Sequence, residues 1–122
     1  MPELMTPSQA ALDWLDDLNP FHSDPQNISN FAGEVAALVT APVTQSMFDA
    51  LVCFARYEGL GAFKGSTLLR LLNQRWYAAA AQQFELWDKE VDPETGEQVV
   101  SPEKKSRRRA ERRLFEKEGF QP

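Results

Sequence analysis

Acidic side chains are the most abundant groups in this chain that could transfer protons. The 122 residues include 18 Asp and Glu against 13 Lys and Arg, so position rather than supply limits such chemistry. A general acid needs a desolvated place beside a cleft, where burial brings its pKa towards the working pH. Glu58 best meets this condition, because it follows an apolar stretch and directly precedes Gly59. Glu58 is therefore the candidate catalytic acid. The alternative is a surface residue at a helix end, where its charge opposes the helix dipole.

Thiol and imidazole groups are scarce. Cys53 is the single cysteine and His22 the single histidine, so neither an internal disulfide nor a His/Cys metal site is expected. Cys53 lies in an apolar run and is predicted to be a small buried residue rather than a nucleophile. The sequence predicts no metal ion and no cofactor.

Basic residues are concentrated near the carboxyl end. Residues 1–55 contain seven acidic residues and no Lys or Arg, whereas seven of the 13 basic residues lie between Lys104 and Arg113. Contact with an anionic polymer is one interpretation of this run, and the candidate binding residues are Arg108, Arg109, Arg112 and Tyr57. The other is a solvated helix face, on which Glu111 pairs with Arg107. Nucleic acid is not an expected ligand, because the net charge is −5 and no nucleic-acid-binding motif is present.

These candidates must be positioned by helices, because apolar residues recur every three or four positions along most of the chain. Thr6, Thr44, Ser66 and Ser101 have the side chains and the context of helix N-caps. Trp76, Tyr77, Phe84 and Trp87 follow helical spacing, which favours core packing over ligand stacking. The prediction is one all-α domain over 1–122, a compact bundle of about six helices with a short hairpin near 91–100. The helices are placed at 6–18, 28–39, 44–58, 66–73, 75–89 and 102–118. No segment is long and apolar enough to span a membrane.

Several separated motifs resemble the carboxy-terminal lobe of phage-type lysozymes, the endolysins of glycoside hydrolase family 24. The resemblance covers roughly residues 6–120. Its most specific parts are Phe48-Asp49-Ala50-Leu51-Val52, Gly59, Ser66-Thr67-Leu68-Leu69, Arg107-Arg108-Arg109-Ala110-Glu111 and Leu114-Phe115. It implies a lysozyme-like helical lobe and a connection with bacterial peptidoglycan, whose glycan backbone such enzymes cut.

Two departures from the family pattern affect the expected activity. The family's catalytic glutamate is followed eight residues later by aspartate or cysteine and then by threonine, and no glutamate in this sequence has that context. We therefore expect the amino-terminal catalytic part of the family to be missing. The second departure is Glu58 itself, which stands where the family usually has asparagine.

Three functions follow as hypotheses. The favoured one is a lysozyme-like protein that acts by binding peptidoglycan or another lysis or phage protein. The second is a divergent muramidase with Glu58 as general acid and Asp24 or Glu34 as the second carboxylate. The third is a phage structural or regulatory protein that reuses the fold. The expected location is the cytoplasm of the bacterial host, with access to the cell wall through a lysis system or in a phage particle.

Overall fold

A computed structural model of the chain describes the backbone of residues 25–119 and the side chains of residues 32–119. Within this part the chain forms six α-helices, and a two-stranded hairpin precedes the last helix. The predicted all-α class with a short hairpin is confirmed. The helices are α1 (Pro25–Leu38), α2 (Gln45–Glu58), α3 (Leu60–Lys64), α4 (Thr67–Asn73), α5 (Tyr77–Gln83) and α6 (Pro102–Glu116), with a 3-10 turn at Phe84–Leu86 and strands β1 (Lys89–Val91) and β2 (Gln98–Val100). The helix expected at 6–18 and the residues His22 and Asp24 lie outside the described residues.

Helix α2 is the centre of the core. Every residue from Ser46 to Ala55 is buried, which means that other elements cover the helix on all sides. The Phe54 ring makes edge contacts with Phe84 and Trp87, at centroid distances of 5.6 and 5.2 Å. Each large apolar side chain buried in this way contributes about 1.5–3 kcal/mol to folding. The ends of α2 are therefore held rigidly against their neighbours.

The predicted caps begin three of the helices. The Oγ1 atom of Thr44 accepts a hydrogen bond from Met47 N at 3.1 Å, and Ser101 Oγ accepts one from Lys104 N at 3.3 Å. Ser66 Oγ accepts from Leu69 N at 3.1 Å and also donates to Phe63 O at 2.7 Å. These bonds satisfy amide groups that the first turn of each helix leaves free.

The segment after α2 contains a helix that was not predicted between 58 and 66. Gly59 does end α2, with a φ of +104° that favours glycine. The chain then forms α3, a short helix whose Phe63 is completely buried. Burial of this ring outweighs the low helix propensity of two nearby glycines.

The helix predicted at 75–89 is also shorter than expected. Arg75 adopts a left-handed φ of +66°, so α5 begins only at Tyr77, and the chain tightens into the 3-10 turn after Gln83. The expectation that the aromatic residues here are mostly core is wrong for Trp76, whose side chain is 60% exposed, and right for the fully buried Phe84. Tyr77 and Trp87 are half-buried.

The hairpin pairs β1 and β2 antiparallel, with Lys89 opposite Val100, Glu90 opposite Val99 and Val91 opposite Gln98. The short hairpin predicted near 91–100 is present and begins two residues earlier, at Lys89. Both strands are exposed along their length. In the described part of the chain, no helix is long and apolar enough to cross a bilayer.

Candidate functional site

Glu58 is the last residue of α2, and its carboxylate points towards α6. Its Oε2 atom lies 3.0 Å from Lys104 Nζ and 3.5 Å from Arg108 Nη1. The side chain is only 12% exposed. The structure thus places the candidate acid in an ion pair between two helices.

Arg108 continues the same cluster into the core. Its side chain is completely buried, and Nη1 lies 3.1 Å from Oε1 of Glu111, which is also completely buried. The guanidinium lies over the rings of Phe54 and Tyr57, at 5.0 and 4.9 Å from their centroids. We call the four charged residues Glu58, Lys104, Arg108 and Glu111 the α2–α6 ion cluster.

Burial dominates the electrostatics of this cluster. It lowers the pKa of Arg108, although the charges of Glu111 and Glu58 act in the opposite direction. It also raises the pKa of Glu111 to about 8, against the attraction of Arg108 and Arg107. The sequence paired Glu111 with Arg107. The structure shows a contact with Arg108 at three-residue spacing and an electrostatic attraction to Arg107.

The four predicted binding residues have different environments. Tyr57 is 42% exposed, and the guanidinium of Arg107 lies over its ring at 5.0 Å. Arg109 is 54% exposed and its Nε atom lies 3.6 Å from Glu85, which also accepts a hydrogen bond from Arg112. Arg108 is enclosed within the α2–α6 ion cluster, so this arrangement does not offer it to a polymer. Tyr57, Arg109 and Arg112 are at the surface.

The described side chains offer few other reactive groups. Cys53 is completely buried, and burial raises the pKa of its thiol well above the ordinary value. The thiolate form that a nucleophile needs is therefore suppressed. Between residues 32 and 119, no three His, Cys, Asp or Glu side chains are grouped as a metal site would require.

Three features of the structure were not found from the sequence. Lys104 Nζ donates to the Lys89 carbonyl at 2.8 Å, which connects the ion cluster to the base of the hairpin. At the other end of α2, the Glu118 carboxylate accepts a hydrogen bond from Ser46 N at 2.8 Å. Trp76 adds an exposed ring. The first two contacts join distant parts of the chain, and no local pattern signals them.

A shallow polar depression lies beside α4. It has a volume of about 350 Å³ and is lined mainly by polar and basic side chains, namely Lys64, Ser66, Thr67, Arg70 and Asn73. Asn73 is already engaged, because its side chain accepts from Thr40 N and donates to Leu38 O. The depression is separate in sequence from the α2–α6 ion cluster and contains no acidic side chain.

Known proteins with similar sequences are phage endolysins. The endolysin of Bacillus phage B103 is 44% identical over 89 residues, which make up 73% of this chain and 32% of that protein. The endolysin of Salmonella phage P22 is 43% identical over 82 residues, or 66% of this chain and 51% of that protein. The chain thus spans between 24% and 51% of the length of the first curated endolysins that it matches.

A solved structure with a similar fold is the muramidase domain of SpmX from Asticaccaulis excentricus. Its TM-score is 0.69 at 32% identity, and the alignment covers 80% of this chain and 62% of that one. The family model described as phage lysozyme matches residues 3–111, which include all four residues of the ion cluster. A match over most of the sequence, together with the endolysin relatives and the shared fold, shows that this chain belongs to the phage lysozyme family.

Proposed function

We propose that this chain acts at the bacterial cell wall by binding peptidoglycan, and that Glu58 stabilises the lobe rather than donating a proton to a glycan. Membership of the phage lysozyme family supports the wall as the place of action. The observation that carries the proposal is the ion pairing of Glu58 with Lys104 and Arg108. Delivery from the host cytoplasm through a lysis system, or in a phage particle, stays a prediction.

The position of Glu58 is poorly suited to glycosidic cleavage. A general acid of a glycosidase is protonated when substrate binds, and it faces the bond to be broken. Two cationic groups lie within 3.5 Å of the Glu58 carboxyl instead, and helix α6 covers it. Of the second carboxylates considered from the sequence, Glu34 is exposed on α1. No described contact brings Glu34 to Glu58.

The surface around the cluster is better suited to binding. Tyr57 presents part of its ring at the surface, and Arg109 and Arg112 present guanidinium groups that pair with Glu85 and, for Arg112, also with Glu116. Carboxylates of the wall peptides are the expected partners of these arginines. Since exposed charges are screened by salt, wall binding should weaken as ionic strength rises.

A turbidity assay and co-sedimentation with purified peptidoglycan test the proposal together. We expect the chain to sediment with the walls, and the variant Glu58→Gln to retain this binding if circular dichroism shows that it is folded. Glu85→Gln, in the 3-10 turn, is the matched control for loss of another glutamate that pairs with arginines of α6. Clearing of the suspension by the wild type that disappears in folded Glu58→Gln, but not in Glu85→Gln, would contradict the proposal.

A divergent muramidase that uses Glu58 is the second candidate. It is supported by the similarity to the muramidase domain of SpmX, which is 32% identical. The same assay separates the two candidates, because only the muramidase requires the Glu58 carboxyl for clearing. A phage structural or regulatory role instead predicts no sedimentation with purified walls.

A further inference from the structure

The polar depression beside α4, which we call the α4 depression, contains two positive charges without a neighbouring negative one. Lys64, the last residue of α3, and Arg70, on α4, both line it, and no acidic side chain does. Within residues 32–119, neither side chain forms an ion pair. The depression is therefore a region of uncompensated positive charge.

The walls of the α4 depression are fixed by hydrogen bonds within the chain. Ser66 Oγ both accepts and donates one, at the start of α4. The Asn73 side chain connects α4 to the end of α1, because it donates to Leu38 O at 3.0 Å and accepts from Thr40 N at 2.9 Å. A site whose walls are already in place loses little conformational freedom when a ligand binds.

The side-chain groups that remain for a ligand are donors. The ammonium of Lys64 and the guanidinium of Arg70 donate hydrogen bonds and accept none, and the exposed Thr67 adds a hydroxyl. A metal ion or an organic cation would be repelled by these two charges. The volume of about 350 Å³ lies near the lower end of small-molecule sites, which measure roughly 300–1,000 Å³. The chemistry of the depression thus fits a small oxyanion.

The exposed arginines of α6 are less available to such an anion. Arg109 pairs with Glu85, and Arg112 pairs with both Glu85 and Glu116. An anion that approaches them competes with these resident carboxylates. In the α4 depression it meets no such competitor among the described side chains.

We propose that the α4 depression is a binding site for carboxylate groups of the peptide part of peptidoglycan. The inference rests on the proposed function, because the charged groups of a peptidoglycan chain are mainly the carboxylates of its peptides. The planar guanidinium of Arg70 can hold both oxygens of one carboxylate, and the ammonium of Lys64 supplies a second, compact charge. A peptide unit with two carboxylates therefore matches the two cations.

The affinity for a single peptide unit is expected to be low. Ion pairs at an exposed surface are weakly stabilising, so the dissociation constant should be on the order of 1 mM. Contacts in the α4 depression and on α6 are parts of one molecule. Simultaneous contact of both with one wall polymer should bind more tightly than either contact alone.

Nuclear magnetic resonance measures this binding residue by residue. The probe is N-acetylmuramoyl-L-alanyl-D-glutamate, which carries two carboxylates, added to the full chain labelled with ¹⁵N. We expect saturable shifts of the amide signals of residues 64–70. The same fragment with both carboxyl groups amidated is the uncharged control, and it should bind at least fivefold more weakly. Equal affinities for the two fragments would overturn the proposal without the use of any variant.

A matched pair of double variants tests the two cations. Lys64→Gln with Arg70→Gln should weaken binding of the charged fragment at least fivefold. Lys105→Gln with Arg113→Gln removes the same charge from α6, where both residues are exposed and form no ion pair with another described residue. This control should change the dissociation constant less than twofold. Equal weakening in both double variants would show that only the net charge of the protein is important, and would contradict a site at α4.

Inorganic phosphate distinguishes the two common anionic groups of cell walls. Phosphate that shifts the same signals and binds more tightly than the fragment would assign the depression to a phosphate-bearing polymer and overturn the proposal.

The outcomes for this site and for the proposed function are separable. A chain that sediments with purified walls while the fragment leaves the signals of residues 64–70 unshifted would retain the proposed function and lose this site. A chain that binds the charged fragment at residues 64–70 but does not sediment would retain the site and lose the proposed function.

Discussion

The guanidinium of Arg108 lies 3.1 Å from the carboxylate of Glu111, and both side chains are completely buried between α2 and α6. A buried ion pair costs desolvation energy for both partners. Removing one partner is strongly destabilising because it leaves the other charge buried and unpaired. Glu58 and the rings of Phe54 and Tyr57 complete the surroundings of the guanidinium. The arginine-rich helix α6 therefore packs against the core through the buried, charged side chain of Arg108.

Replacing Arg108 alone should destabilise the fold strongly. Arg108→Met keeps most of the side-chain volume but leaves Glu111 and Glu58 without their shared cation, so above about pH 8, where Glu111 is ionised, we expect a loss of about 3–5 kcal/mol in the free energy of unfolding. Urea denaturation measures it. The double variant Arg108→Met with Glu111→Leu should recover a large part of the loss. A double variant no more stable than Arg108→Met would show that packing, rather than charge, makes Arg108 important.

The raised pKa of Glu111 predicts that stability falls as pH rises. The folded chain keeps a proton on Glu111 between its ordinary pKa of 4.5 and about 8, while the unfolded chain loses it near 4.5. Because the folded state binds more protons in this window, Glu111 contributes a decrease on the order of 1 kcal/mol per pH unit as pH increases from 4.5 to 8. Thermal denaturation across this range measures the slope.

Glu111→Gln is the control for the pH effect. Its amide does not titrate, and all other titratable groups of the protein are unchanged. The difference in unfolding free energy between wild type and variant should change with pH in favour of the variant at high pH. Parallel stability curves for the two proteins from pH 5 to 8 would refute a titrating Glu111.

The helix cap at Ser66 should contribute more to the free energy of unfolding than the side chain of its exposed neighbour Thr67. Ser66→Ala removes the hydrogen bond that Leu69 N donates and the one that Phe63 O accepts, in a buried position between α3 and α4. We expect a loss of about 1–2 kcal/mol by urea denaturation. Thr67→Ala, at the next and exposed position, should change stability by less than about 0.5 kcal/mol. Similar losses for both variants would mean that local helix propensity, not the cap, is responsible.

Lys104 should stabilise both the ion cluster and the hairpin. Lys104→Met removes the cation nearest Glu58 and the donor to the Lys89 carbonyl. We expect a loss of about 2 kcal/mol and faster amide hydrogen exchange in β1 and β2. Lys105→Met, at an exposed neighbouring position, should leave exchange in the hairpin unchanged. Unchanged exchange in Lys104→Met would show that the turn alone maintains the ribbon.

Local signals predicted the helix beginnings well. The caps at Thr44, Ser66 and Ser101 depend on one side-chain oxygen and an amide three residues later, so the sequence contains both partners. The glycine at the end of α2 is local in the same sense, because its positive φ favours a residue without Cβ.

Predictions failed where a local pattern had more than one solution. Helical spacing around residue 76 was correct, but the left-handed Arg75 displaced the start of α5 and left Trp76 exposed. Helix α3 was missed because two glycines disfavour it and only the burial of Phe63 stabilises it. The hairpin was placed correctly, but its register follows from the turn at Asp92–Glu97, which the valines alone do not specify.

The sequence by itself determined the family, the helical class and the position of Glu58 at the end of an apolar helix, because motifs, periodicity and caps are local properties. Only the tertiary structure decided what surrounds that carboxylate. Lys104, Arg108 and Glu111 are between 46 and 53 positions away from Glu58, and packing of α6 on α2 brings them to it. The chemical role of a carboxyl depends on its neighbours in space, and those neighbours here come from a helix at the other end of the chain.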